Sequence, residues 1–298
     1  MQTLFYQSIK WLKRLTSEHA KWGCSDVSKE SLPQFFTLIE KQIGIALDNT
    51  KQYLLESRLQ PLAKQGGHAD VYSFIKQLIQ SPVDSLHRQA FEALTTNETS
   101  FFRDNHVFNA LKSTILPGLI ESRRVDKTLR IWSCACSSGQ EAISIAILIR
   151  ESFPELYDWD IVINATDISE SILEKARSGI YNAMEVRRGL DPIYTEKYFT
   201  KLENGNFQIE PSIKKMIHYS AHNLVGAWPS FSKFDLILLR NVLIYFNQEV
   251  KNNVLKKIKQ QLRPIDGILI LGAAESIYAD DLYRLQSLEK ITYYKANK

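Results

Sequence analysis

Leu129-Arg130-Ile131-Trp132-Ser133-Cys134-Ala135-Cys136-Ser137-Ser138-Gly139-Gln140-Glu141 is the stretch on which the fold turns. An apolar run passes into a turn of small residues, and helix-forming residues follow at once, the order of a strand, a tight turn and a helix. One helix later comes a second apolar run, Ile161-Val162-Ile163-Asn164-Ala165-Thr166, closed by Asp167. A carboxylate at the end of the second strand of such a unit can accept hydrogen bonds from both hydroxyls of an adenosine ribose. The small residues of the turn let backbone approach a bulky ligand. These features read as an adenosine-cofactor site. The blander alternative is a structural βαβ unit without a ligand, which gives no reason for acidic residues at both strand ends.

The type of cofactor follows from what the turn lacks. Gly139 is its only glycine, so the dinucleotide fingerprint is absent, and no glycine is followed by Lys and Ser/Thr as in a P-loop. A pyrophosphate needs a glycine-lined nest at a helix N-terminus, and Glu141 would repel it. A cation would be welcome there. S-adenosylmethionine carries an ammonium and a sulfonium and no phosphate, so the sign of the charge favours a methyl donor over a nicotinamide or a nucleoside triphosphate.

A chain of 298 residues, 44% of them hydrophobic, can bury one large or two smaller cores. The net charge of +4 permits an acidic partner, without the dense Lys/Arg clustering usual for nucleic-acid binding. Three cysteines with no C-x-x-C make neither a disulfide framework nor a zinc site. Cys134 and Cys136 read as small apolar residues alternating on one strand, Cys24 carries no signal, and no metal is expected. No apolar run has the length of a membrane span, and a cytoplasmic location is expected. Met1–Leu15 mixes apolar and basic residues, which fits an extra helix packed on the protein or a frayed tail better than a basic amphipathic helix docking on a partner or membrane surface.

Residues 32–94 carry helical periodicity, broken at Pro33, Gly66-Gly67 and Ser81-Pro82, and predict an all-helical domain after an N-terminal extension, 1–31. From 95 to 298 strands (129–134, 160–166, 233–239, 267–273) alternate with helices near 140–152, 169–177 and 247–262. That alternation predicts an α/β, Rossmann-like domain with a mostly parallel sheet. Residues 198–219 interrupt the alternation. Tyr198–Leu202, Phe207–Ile209 and Met216–Tyr219 flank an Asn204-Gly205 hairpin signal and read as a small antiparallel β-insertion. Ahead of this domain, Thr95–Asp104 forms a polar loop opening a helix that Asp104 would cap. Near its end, Phe234–Leu239 is a buried strand running into Arg240-Asn241. Ligands of open α/β sheets bind at the strands' carboxyl ends, where Glu141, Asp167 and Arg240-Asn241 all fall.

T-T-N-x-T-x-F-F-R (95–103), W-S-x-x-C-S-x-G-x-E (132–141), A-T-D-I (165–168), A-R-S-G-I-Y (176–181) and R-N-V-L-I-Y-F (240–246) occur here in the order found in chemotaxis receptor methyltransferases of the CheR type. The chain resembles that family from about residue 32 to its end. The resemblance implies an all-α N-terminal domain joined to an S-adenosylmethionine-binding methyltransferase domain with an inserted β-subdomain. It further implies transfer of a methyl group to glutamates of chemoreceptors, giving γ-glutamyl methyl esters and S-adenosylhomocysteine. By position, Asn97, Thr99 and Arg103 match the family's polar loop over the cofactor, with Arg103 pairing with the methionine carboxylate, a task suited to a guanidinium fork. Glu141 matches the acidic residue facing the methionine moiety and Asp167 the ribose carboxylate. Asn223-Leu224 matches the adenine-contacting segment, where an amide can read the ring. Arg240, Asn241 and Tyr245 match the strand end beside the transferred methyl. Arg103, Arg240 and Tyr245 are accordingly the expected catalytic residues.

The implied partner is the helical bundle of a chemoreceptor, with Lys51, Arg58 and Lys64 facing its acidic surface from the second N-terminal helix. The protein is expected to act as a monomer, without nucleic acid and without inserting into the membrane. The family's usual G-E-E-P-Y-S turn is Gly139-Gln140-Glu141-Ala142-Ile143-Ser144 here, and the short loop Glu203–Asn206 implies binding that needs no receptor C-terminal peptide. Two other readings stay open. A nucleic-acid or small-molecule amine methyltransferase would be expected to carry Asn/Asp-Pro-Pro-Tyr where Arg240-Asn241-Val242-Leu243 stands. A non-catalytic sensor or scaffold binding the donor or its product would keep the same fold.

Overall fold

A computed structural model describes residues 27–277, 281–288 and 291–297. The readings of Met1–Leu15 and Cys24 lie outside the described residues. The chain divides into two compact units. One holds the described residues up to Leu38 together with Leu47–Ala90, and the other holds Ile39–Ala46 together with Phe91 onward.

The first unit is helical, with helices over Gln52–Gln65 and Val71–Gln80 and the start of Ser85–Leu94. Each start has a local reason. Asp48 accepts from the Thr50 N–H at 2.8 Å ahead of a short 3-10 turn, and Asp70 with Ser73 forms a capping box. Leu55, Leu59 and Ala63 on one helix and Phe74, Ile75 and Leu78 on the next are buried, the i, i+4 spacing of an apolar stripe. His87 is fully buried and bridges the Leu78 carbonyl at 2.7 Å and Asp84 at 2.8 Å, which locks the turn between two helices. Pro33, expected as a break, lies inside the helix Val27–Ile43. Proline removes one intrahelical N–H, and the Thr37 hydroxyl donates to the Pro33 carbonyl at 2.9 Å in that turn.

The second unit is built on a seven-stranded sheet of order β6-β2-β1-β7-β8-β10-β9. Its members are β1 (Thr128–Cys134), β2 (Asp160–Asp167), β6 (Ile217–Ala221), β7 (Leu236–Leu239), β8 (Ile268–Leu271), β9 (Tyr283–Leu288) and β10 (Ile291–Ala296). The first five named in the order run parallel, and β10 and β9 add an antiparallel ribbon at one edge. β1 divides its side chains between two cores. Leu129 and Ile131 join the cluster packed on helix Gln140–Ser152, while Trp132 and Cys134 join that of helix Gln248–Gln261. The chain steps outward from β1 to β2 and β6 and then returns to the other side of β1 for β7 and β8. The switch point between β1 and β7 is where such sheets open a crevice.

Two details differ from the sequence reading. Met216–Tyr219 belongs to no antiparallel insertion: β6 pairs in parallel with β2, Ile217 facing Ile163. Its exposed, polar residues gave it an edge-strand look, and only the long-range partner fixes its direction. The small sheet instead has the order β3-β5-β4, from Ile180–Tyr181, Phe207–Ile209 and Phe199–Lys201. Cys136 also leaves the strand. It sits in the following turn and faces the other core from Cys134.

Candidate active site

The turn after β1 is wound tightly. Ala135, Ser137 and Gly139 all have positive φ, at 50°, 51° and 90°, a region that costs side-chain-bearing residues and favours small ones. The winding turns backbone donors toward β2. The Ser137 N–H donates to Asp167 Oδ2 at 2.8 Å, and the Ser169 N–H donates to Oδ1 at 3.0 Å. Asp167 is almost wholly buried. Burial raises its carboxyl above the ordinary carboxylate range, and the N–H bonds from Ser169 and Ser137 pull the other way. Each oxygen keeps accepting capacity for a further donor.

At the switch point, Arg240 follows β7 with a side chain only 2% exposed. Its guanidinium donates to Glu141 Oε2 at 2.8 Å and to Asp104 Oδ2 at 2.6 Å, and also to the Arg103 carbonyl at 2.9 Å. Its buried Nε has no partner among the described residues. The other oxygen of Glu141 accepts from the Ser133 hydroxyl at 2.7 Å. One cation is thus held between two carboxylates. Asp104 was expected to cap a helix. It makes no capping bond and has φ 62°, because its carboxylate is drawn to Arg240.

The loop over this network is anchored from beneath. Phe101 is fully buried and meets Tyr181 and Phe199 edge-on, ring centres 5.1 and 5.6 Å away. The Phe102 N–H donates to the Ser144 hydroxyl at 2.9 Å, and the Asn97 carbonyl accepts from the Ser137 hydroxyl at 2.8 Å. Arg103 donates to the Glu98 carbonyl at 3.0 Å.

The structure brings Asn97, Thr99, Arg103, Glu141, Asp167, Asn223, Leu224, Arg240, Asn241 and Tyr245 to the wall of one cleft, enclosing about 1010 Å³ with its mouth included. Tyr245 ends a 3-10 turn over Leu243–Tyr245, and Asn241 has φ 57°. The side-chain amide of Asn223 is taken up within the protein, donating to the Gln42 carbonyl at 2.7 Å and accepting from the Val225 N–H at 3.0 Å. One N–H and one lone pair of that amide stay available beside Leu224 and the backbone of this segment. Lys51, Arg58 and Lys64 belong to the other unit. Lys51 closes the 3-10 turn Asn49–Lys51, ahead of helix Gln52–Gln65, which carries Arg58 and Lys64. Lys51 therefore stands just ahead of the helix that was expected to carry it.

Several contributors carry no sequence signal of their own. Ile43 and Ile45 line the cleft. The Ala46 N–H donates to the Tyr245 carbonyl at 2.8 Å, and Ile45 bridges Phe246. His222 also lines the cleft, packed edge-on against Trp132, Trp228 and Phe231. Burial, helped by Lys257, lowers its pKa to about 4. Glu92 accepts from the Ser171 hydroxyl at 2.8 Å and the Glu170 N–H at 3.1 Å, fixing the helix that follows Asp167. Among the described residues no cluster of three or more His, Cys, Asp or Glu could hold a metal, and no helix is long and apolar enough to cross a membrane.

An open sheet with an acidic, glycine-poor turn at its switch point and a carboxylate closing the neighbouring strand is the frame of a methyltransferase taking a cationic adenosyl donor. The chain belongs to the CheR methyltransferase family: residues 97–292 match its SAM-binding domain and residues 30–95 its all-alpha domain. It is 40% identical over 247 residues to chemotaxis protein methyltransferase 1 of Pseudomonas aeruginosa, covering 82% of this chain and 89% of that one. It is 37% identical over 254 residues to the chemotaxis protein methyltransferase of Vibrio parahaemolyticus, covering 84% and 90%. The corresponding protein of Borreliella burgdorferi is 33% identical over 274 residues, covering 91% and 95%.

Proposed function

We propose that the protein is a protein-glutamate O-methyltransferase that takes its methyl group from S-adenosylmethionine and esterifies glutamate side chains of chemoreceptors. The observation that carries the reading is the meeting of Asp167, the Glu141–Arg240–Asp104 network and the loop Asn97–Arg103 on one cleft at the sheet's switch point. The residues present fit the donor. Asp167 has a second acceptor site on each oxygen for the ribose hydroxyls, and a guanidinium between two carboxylates leaves an excess of acidic groups, which suits a cation and disfavours a phosphate. Arg103 lines the same cleft and suits the donor's carboxylate. Arg240 holds Glu141 and Asp104 rather than standing free, so its part is to orient acidic groups.

The donor, when bound, supplies an electrophilic methyl group whose departure from sulfur leaves a neutral thioether. A glutamate is already ionised near neutrality. One of its oxygens forms the new O–C bond as the C–S bond breaks with its electron pair staying on sulfur, and no proton moves. The chain's residues therefore need to supply no general base or acid. They have to align the reacting atoms and exclude water. Tyr245, at the cleft wall, offers a ring face that favours a cationic neighbour. Lys51, Arg58 and Lys64 are assigned to the acidic receptor surface, and the protein is taken to act in the cytoplasm as a monomer.

Incubation with methyl-labelled donor and chemoreceptor-rich membranes should give label on the receptor that is released as methanol by base, the mark of a methyl ester. Donor binding with no label transferred would favour the sensor reading. Base-stable label would indicate an amine substrate.

A further inference from the structure

The catalytic strand end is held by a residue from another strand's end. Glu275 follows β8, and its carboxylate accepts four backbone N–H groups: from Asn241 at 2.7 Å and Gly272 at 2.8 Å on Oε2, and from Val242 at 2.9 Å and Ile244 at 3.2 Å on Oε1. Three of those donors belong to the turn that carries Asn241 into the cleft and leads to Tyr245. Bonds from neutral N–H groups to a carboxylate are stronger than neutral pairs, and here they converge on a turn whose Asn241 has φ 57°. Gly272 keeps space for this arrangement. A Cβ there would lie 2.7 Å from Glu275 Oε2 and 2.8 Å from the Asn241 nitrogen.

We propose that Glu275 is a positioning residue for methyl transfer, using its carboxylate to fix the Asn241–Tyr245 backbone, and with it the Tyr245 ring, at the reacting atoms. The inference rests on the methyltransferase reading above. Glu275 belongs to none of the sequence motifs and does not line the cleft, so it acts only through the turn. A glutamine would keep one accepting oxygen and turn an NH₂ donor toward two of the four N–H groups, loosening the turn without changing the side chain's size.

The test compares Glu275→Gln, Glu275→Asp and Gly272→Ala with wild type in the full chain, reading S-adenosylhomocysteine affinity by calorimetry, melting temperature, and kcat at saturating donor and receptor. The expected result for Glu275→Gln is kcat lower by at least about tenfold, since small misplacements at a reacting centre cost up to about a hundredfold. Product affinity should stay within about threefold, and Glu275→Asp should recover part of the rate. Gly272→Ala, which crowds the same carboxylate, should repeat the kcat loss if Glu275→Gln does not fold. Unchanged kcat in Glu275→Gln overturns the proposal. So does a fall in affinity and melting temperature that accounts for the lost rate in both variants. A wild-type protein that methylates no receptor sinks the methyltransferase reading as well, whereas an active wild type with an unimpaired variant sinks this inference alone.

Discussion

Asp167 is the residue on which the donor reading can be pressed hardest. Both its oxygens are already fixed by backbone donors, so Asp167→Ala should weaken S-adenosylhomocysteine binding by about a hundredfold, the loss of two charge-assisted bonds at roughly 1.5 kcal/mol each. Calorimetry showing unchanged affinity would refute the ribose assignment. Tyr245→Phe should lower kcat more than donor affinity, a split that single-turnover rates beside binding isotherms would resolve. His222 gives a prediction of a different kind. Its folded pKa of about 4 lies below the ordinary 6.5, so between those values the unfolded chain binds more protons and stability falls as pH drops through the window. Replacing it by Phe should flatten melting temperature against pH from 6.5 to 4, and an unaltered slope would assign the effect elsewhere. Asp167, Glu141 and Arg240 were legible in the sequence because Asp167 and Arg240 close strands and Glu141 opens the helix after one, and each carries a charge that a bare βαβ unit does not need. The anchoring of Asn223 was not legible, since the partner of its amide, Gln42, is remote along the chain. Glu275 was illegible for the same reason: its four donors come from two strand ends.

Among the elements, β1 and its turn were readable because one local pattern contains the strand, the break and the helix start. The direction of β6 was not, because five residues with one buried side chain fit either a hairpin or a parallel edge. Only Ile163, on a strand far earlier, decides. The β9–β10 ribbon was likewise unread, its pattern of mixed exposure lacking a strict two-residue alternation. The end of the sheet opposite the cleft makes its own prediction. Asp235, wholly buried, accepts from Arg123 Nε at 2.6 Å and from the Arg130 N–H at 2.7 Å, with Arg263 2.8 Å away. Removing the buried carboxylate takes one of two acidic partners from Arg123, which keeps Asp266 at 2.6 Å, and the ion-pair partner from the partly exposed Arg263, so Asp235→Ala should lose about 3 kcal/mol of stability. Urea denaturation would show it as a lower midpoint at a similar m-value. Because this network lies at the far strand ends, donor affinity in the folded variant should change little.

For the molecule as a whole, the α/β class and the inserted small sheet followed from alternation and turn chemistry, while the grouping of chain segments did not. Periodicity carries the first helix smoothly to Ile43, yet its last residues and the chain to Ala46 pack with the methyltransferase unit. Nothing in the periodicity marks this, because a helix looks the same on either side of such a divide. Gln42, Ile45 and Ala46 hold Asn223, Phe246 and Tyr245, so the catalytic module extends upstream of the point where its family match begins. A gene fragment opened at residue 97 would produce a protein missing the backing of its own cofactor pocket. Such a fragment should bind the spent donor more weakly than the intact chain, and supplying 39–46 as a separate peptide should restore part of the difference.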